Sequence, residues 1–141
     1  QGPVPVGDET GFSLPSDFME WKATCHHKHN LMKFGENFKA LYKKQYLYMM
    51  YVWGHSYEFE NDNNWNLMDE FCSLIGGQDD IWYATNIEIV DYMDVFDRLQ
   101  FAADLSFVYN PSAASAWLII NDTHVVEVKG GTTVDLKQYD N

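Results

Sequence analysis

Positive charge is scarce in this sequence. Nine Lys and Arg face 21 Asp and Glu, leaving a net charge of -12 and a pI near 4.5. Such a surface repels phosphate backbones and anionic bilayers, so no nucleic acid partner and no membrane surface are expected. Long apolar runs are missing too. The longest, residues 46–53, is far too short to span a bilayer. Residues 1–12 have neither a basic start nor an apolar stretch, so no secretory leader is expected there. Cysteine is nearly absent. Cys25 and Cys72 lie outside any C-x-x-C motif, which excludes a disulfide framework at this length. They read as buried free thiols and lean towards a reducing compartment, the cytoplasm. G-x-S-x-G, P-loop, G-x-G-x-x-G and H-E-x-x-H motifs are all absent, so a self-contained hydrolase or nucleotide enzyme of those kinds is not written here.

What is present is globular. Hydrophobic residues make up 46% of 141 and aromatic residues 16%, enough for a domain with a real core. The aromatic rings, five of them Trp, serve either that core or the stacking of sugars. Residues 1–16 read as an extended segment with turns at Gly7 and Gly11. Leu31, Phe34, Phe38 and Leu41 recur at helical spacing behind Asn30 as N-cap. Residues 46–53 are apolar at nearly every position, as in a parallel strand covered on both faces. Residues 60–64 read as a polar loop. Trp65, Met68, Cys72 and Ile75 form a helical stripe stopped by Gly76-Gly77. Residues 81–84 read as a second strand. Thr85-x-x-Glu88 is a capping box opening a helix with Ile89, Tyr92, Met93, Phe96 and Leu99 inward. This strand–helix alternation implies an α/β fold with parallel pairing. After about residue 103 the pattern changes. Residues 117–120 and 124–128 flank Asn121-Asp122 as a hairpin, and residues 132–136 follow a Gly130-Gly131 turn. The expected organisation is residues 1–103 as the α/β part and 104–141 as a small antiparallel β appendage.

Three groups could carry chemistry. His55 follows Gly54 where the apolar strand ends, and carboxyl ends of parallel strands form the ligand crevice of α/β folds. A histidine there is either an acid–base group or a hydrogen-bonded structural residue. Cys25-His26-His27-x-His29 offers three His within four residues, either as metal ligands or as a polar loop. Asp17-x-x-Glu20-Trp21 places carboxylates beside an indole, which could tune a histidine and wall an apolar pocket. Glu58 and Glu60 could flank the His55 site. Asp79-Asp80 reads as a solvated turn ahead of a strand.

Four stretches together are recognisable: Trp21-Lys-Ala-Thr-Cys-His-His27, Tyr51-Val-Trp-Gly-His-Ser-Tyr-Glu-Phe-Glu60, Asp80-Ile-Trp-Tyr-Ala-Thr-Asn-Ile-Glu-Ile-Val-Asp91 and Tyr109-Asn-Pro-Ser112. In this order, from about Val4 to Leu136, they resemble the C-terminal half of bacterial polysaccharide deacetylases of the NodB-like carbohydrate esterase family. The resemblance implies a partial, distorted (β/α) barrel and metal-dependent removal of acetyl groups from sugars. It implies His55 as general acid and Asp17 or Glu20 as the carboxylate that tunes it, with Glu20 where aspartate is more usual. It also implies Trp21, Trp53 and Tyr57 as contacts to an acetylated oligo- or polysaccharide. The divalent metal, zinc by analogy, belongs to the complete enzyme. Its ligands come from an aspartate-pair motif and an H-x-x-x-H motif, neither of which this chain contains. The expected partner is then a missing N-terminal half or another copy of the chain, in the bacterial cytoplasm.

Two other readings come from different classes. One is a catalytically inert carbohydrate-binding or scaffolding module. The other is a self-sufficient metalloprotein using His26, His27 and His29.

Overall fold

In a computed structural model, residues 11–140 are described, and they form two compact units, one ending at Trp82 and the other starting at Tyr83. The expected turn at Gly7 lies outside the described residues. The chain is mixed α/β, with four α-helices and small sheets and no closed barrel among the described residues. Among the described residues, no helix is long and apolar enough to cross a membrane.

The first unit is built on a short parallel pair. Strand β1 (Cys25–His26) pairs with β2 (Val52–Trp53), setting Cys25 opposite Val52 and His26 opposite Trp53. The sequence pattern places parallel pairing between residues 46–53 and 81–84; the partner is instead Cys25–His26, in a stretch that the sequence suggests is a polar or metal-binding loop. The expected strand over residues 46–53 is much shorter than its apolar run suggests. The Tyr51 N–H donates to the Thr24 hydroxyl at 2.9 Å and the Met49 N–H to the Phe12 carbonyl at 2.8 Å. Bonds to a side chain and to a distant segment replace a continuous ladder. The run is not covered on both faces either, since Leu47 and Trp53 are exposed.

Helix α1 (Leu31–Ala40) buries Leu31, Gly35 and Phe38. Asn30 does precede it, but with φ 54° and no side-chain cap. Helix α2 (Ser56–Asp62) starts immediately after His55 and ends at Asn63, whose φ of 49° is left-handed. It occupies much of what the sequence suggests is a polar loop. Helix α3 (Trp65–Ile75) turns Phe71 into the core with Leu67, Met68 and Ile75. Its inward stripe is rotated from the expected one, leaving Trp65 and Cys72 exposed. The thiol pair is therefore one buried and one exposed. A Cβ at Gly35 would lie 3.0 Å from both Leu74 Cδ2 and Phe71 Cε2, so glycine there lets α1 approach α3 closely.

Residues 81–84 do not form a strand. The Ile81 N–H instead closes a turn on the Gln78 carbonyl. In the second unit, helix α4 (Asn86–Asp97) begins at the expected capping box. The Glu88 carboxylate accepts from the Thr85 N–H at 2.7 Å. The sheet strands are β3 (Gln100–Phe101), β4 (Phe107–Tyr109), β5 (Ala116–Ile120), β6 (His124–Val128) and β7 (Thr133–Asp135). β5 and β6 form the expected antiparallel hairpin, and β3, β4 and β7 a separate three-stranded antiparallel sheet. The core joins Val95 and Leu99 to Val108, Ala116, Val128 and Leu136. Thus α4 packs with the strands, whereas the sequence pattern places the change of organisation near residue 103.

Candidate functional site

β1 and β2 run parallel, so their carboxyl ends deliver His26, His27 and His55 to one place. The His27 N–H extends the pairing to the Trp53 carbonyl at 3.0 Å. Helix α2 then brings Glu58 back over these ends. Glutamate at the third helical position naturally reaches the backbone N–H of the residue before the helix. Here it accepts from the His55 N–H at 3.0 Å.

Glu58 Oε2 is the centre of the group. His26 Nε2 lies 3.1 Å from it, His55 Nδ1 3.2 Å and His27 Nδ1 4.0 Å. Its other oxygen receives Lys28 Nζ at 3.2 Å, and Lys28 also reaches Asp62 at 2.9 Å. Desolvation pushes the Glu58 carboxyl upward, but the His55 N–H, the Lys28 ammonium and the His55 ring outweigh it and hold it at about 2. Glu58 is therefore a carboxylate throughout the neutral range. Lys28 is held more firmly protonated, chiefly by Asp62 and then by Glu58.

The three histidines differ in their surroundings. His55 is half-exposed, at 52% of its side chain. Its ring stacks on Tyr57 at 5.1 Å and meets Trp53 edge-on at 5.7 Å. His26 is largely covered, and its Nδ1 accepts from the Lys28 N–H at 3.1 Å. His27 is sealed, with 2% of its side chain exposed and its ring stacked on Phe59 at 4.1 Å. Neither His27 ring nitrogen has a hydrogen-bond partner. Leaving a buried polar group so costs about 1–3 kcal/mol. A Cβ at position 54 would lie 1.9 Å from His27 Nδ1, so only Gly54 leaves the ring its space. His27 also lines an open hollow with Lys28, Asp62 and Asn64.

Of the sequence-derived site residues, His55, Trp53 and Tyr57 come together here. Asp17 does not join them in any described contact. It accepts from the Met19 N–H at 2.8 Å and closes its own turn. Glu20 is exposed, and no hydrogen bond or ion pair links it to His55 among the described residues. Trp21 donates its indole N–H to the Phe18 carbonyl at 2.7 Å and packs on Tyr51 at 5.3 Å. Asp80 pairs with Lys43 at 3.0 Å.

The carboxylate that touches His55 is Glu58. The sequence holds a signal for it, in the form of Glu three residues after a strand-ending His, which is the spacing of a helix start.

The metal implied by the family resemblance needs motifs that this chain lacks. Among the described residues, His26, His27 and Glu58 form the cluster whose donor atoms all lie within 4.8 Å of one another. His29, the third member of the three-histidine alternative, is exposed outside it, with its ring 5.6 Å from that of His26. In comparisons with known proteins, no family model, no curated protein and no solved structure matches the chain.

Proposed function

We propose that this chain is the acid-bearing part of a carbohydrate deacetylase, with His55 as proton donor and Glu58 as the carboxylate that orients it. The parallel pair β1–β2 is then a remnant of a partial barrel. The observation that carries this reading is the His55 ring itself. It is exposed at the end of a parallel strand, with Nδ1 held 3.2 Å from the Glu58 carboxylate. With Nδ1–H donating to Glu58, Nε2 is the nitrogen left to exchange a proton with a ligand. Amide cleavage expels a poor amine leaving group, and a positioned acid typically contributes roughly 10²–10⁴-fold. The exposed rings of Trp53 and Tyr57 flank His55. They suit stacking on the apolar face of a sugar, and so fit an acetylated oligosaccharide. The likeness of residues 51–60 to the deacetylases points the same way. Glu58 takes the place that the resemblance gave to Asp17 or Glu20.

The test is acetate release from an N-acetylglucosamine oligomer by the chain complemented with the metal-binding half of a deacetylase. His55→Ala is expected to lower kcat by roughly 10²–10⁴-fold with little change in KM. Asp17→Ala should stay within about twofold of the parent, as expected for a turn residue away from the reacting atoms. If His55→Ala retains full kcat while the complemented protein turns over, the assignment of His55 is wrong. If the complemented protein binds the oligomer through Trp53 and Tyr57 but never releases acetate, the chain is a carbohydrate-binding module.

A further inference from the structure

We propose that His26, His27 and Glu58 form a binding site for a zinc-class divalent cation, independent of the deacetylase reading. Three observations converge on it. The first is donor chemistry and spacing. Two imidazoles and one carboxylate are the donor set of open zinc sites, which leave a fourth position for water or a ligand. With metal–nitrogen and metal–oxygen bonds near 2.0–2.1 Å, tetrahedral donors stand about 3.3 Å apart. The separations of His26 Nε2 and His27 Nδ1 from Glu58 Oε2, 3.1 and 4.0 Å, bracket that value.

The second observation is His27. A histidine 2% exposed, with neither ring nitrogen bonded, has no role as a satisfied core residue. Its Nδ1 lies on the side of Gly54, where any side chain would fill the space. A cation bound by Nδ1 gives this nitrogen the partner it otherwise lacks. The third is what surrounds Glu58. It is already ionised, and Lys28 holds its other oxygen at 3.2 Å. Ligating carboxylates are usually fixed by such outer hydrogen bonds. His55 can stay bonded to the same carboxylate, because an oxygen that binds a metal keeps a second lone pair. One bond is lost. Coordination through His26 Nε2 moves the neutral ring's proton to Nδ1, and the exposed Lys28 N–H then turns to water.

The probes are Zn²⁺ and Co²⁺ added to the metal-stripped 141-residue chain. Calorimetry should give one Zn²⁺ per chain. Co²⁺ should give a tetrahedral visible spectrum without thiolate charge transfer, since Cys25 and Cys72 take no part. Histidine nitrogen NMR of the unaltered chain should show His26 and His27 moving on Zn²⁺ addition while His29 and His124 stay. This readout does not depend on any variant folding.

Glu58→Gln and His27→Ala should each weaken binding by more than about 100-fold, the upper range for losing even an outer partner of a metal site. His29→Ala should leave binding unchanged. Absence of stoichiometric binding to the unaltered chain would overturn the proposal. So would binding that survives Glu58→Gln, or that moves the signals of His29 instead of His27. Because the readouts are binding and NMR, they stand or fall apart from acetate release.

Discussion

Among the described residues, two polar side chains are buried: His27 in the first unit and Asn110 in the second. Their situations are opposite. Asn110 is wholly enclosed and fully bonded. Its amide nitrogen donates to the Ala114 and Val128 carbonyls at 2.8 and 2.9 Å, and its oxygen accepts from the Ser112 N–H at 2.9 Å. His27 is just as enclosed and has no hydrogen bond at either nitrogen. Asn110 locks the turn that runs through Pro111 to Ala114 against the end of β6, so its burial is explained by structure alone. The His27 ring locks nothing by hydrogen bonds, and glycine at 54 is needed to admit it at all. A buried group that satisfies itself holds a fold together. One that does not calls for another explanation, and for His27 the bound cation proposed above supplies it.

The sharpest way to break this contrast is at Asn110. Asn110→Ala removes three hydrogen bonds, among them the side-chain donations to the Ala114 and Val128 carbonyls. We expect a loss of about 3 kcal/mol in the second unit. Native-state hydrogen exchange of the β5 and β6 amides would read it. Added Zn²⁺ should restore none of it. A loss below about 1 kcal/mol would mean that the network is ornamental and the comparison has no structural pole.

The next effect belongs to Gly54. Gly54→Ala puts a Cβ on the His27 ring, and the ring has to shift. Overpacking of this kind typically costs 1–3 kcal/mol, so we expect about 2 kcal/mol together with weakened Co²⁺ binding. A variant that binds Co²⁺ as tightly as the parent would show that His27 is not the ligand.

Gly54-His55 also shows how much the sequence revealed. An exposed His55 at the end of an apolar run is legible from pattern and position, whereas Trp53 and Tyr57 beside it come from the family resemblance and the parallel partner Cys25–His26 is not legible at all. Also legible are α1, α4 with its capping box, and the β5–β6 hairpin. Glu58 is legible as a group flanking His55, but not as the carboxylate that also meets His26, because residues 60–64 are so polar that they hide helix α2, and α2 is what carries Glu58 back onto His26 and His55. The length of β2 was not legible either. An apolar run does not say whether its N–H groups meet a neighbouring strand or, as at Tyr51, a threonine hydroxyl. The resemblance places Asp17 and Glu20 by motif order along the chain, whereas the contact to His55 is made locally by an i,i+3 glutamate.

A smaller effect is expected at the start of α4. Thr85 caps this helix together with Glu88, and Thr85→Ala should cost about 1 kcal/mol. The Thr85 N–H first, and then its hydroxyl, hold the Glu88 carboxyl below its ordinary value of 4.5. The unfolded chain therefore takes up that proton before the folded one does. The contribution of Glu88 is complete at neutral pH and fades as pH falls below 4.5 towards the lower folded value. Protection factors of the α4 amides, corrected for the intrinsic pH dependence of exchange and followed down through this range, should fall in the parent and change less in Thr85→Ala. Equal pH responses in the two proteins would show that the capping pair does not govern the helix end.

The smallest effect is the most informative. His27→Leu removes a buried imidazole that has no hydrogen bond to lose, and replaces it with an apolar side chain of similar reach. Replacing an unsatisfied polar group in this way is close to neutral, because the cost of stripping water from the ring disappears with the ring. Against that gain stands the stacking on Phe59, worth about 0.5–1.5 kcal/mol. The two nearly cancel, so in chelator-treated protein we expect a change within about 1 kcal/mol of zero, in contrast to Asn110→Ala. Zn²⁺ then separates the two proteins. At a free concentration 100 times its Kd, a ligand stabilises the folded form by about 2.7 kcal/mol. The parent should gain that amount, and His27→Leu should gain none. Were metal-free His27→Leu to lose more than about 2 kcal/mol, His27 would have a structural role that its unbonded nitrogens do not show. The difference between the two buried groups would then lie in their shapes and not in what they are waiting to bind.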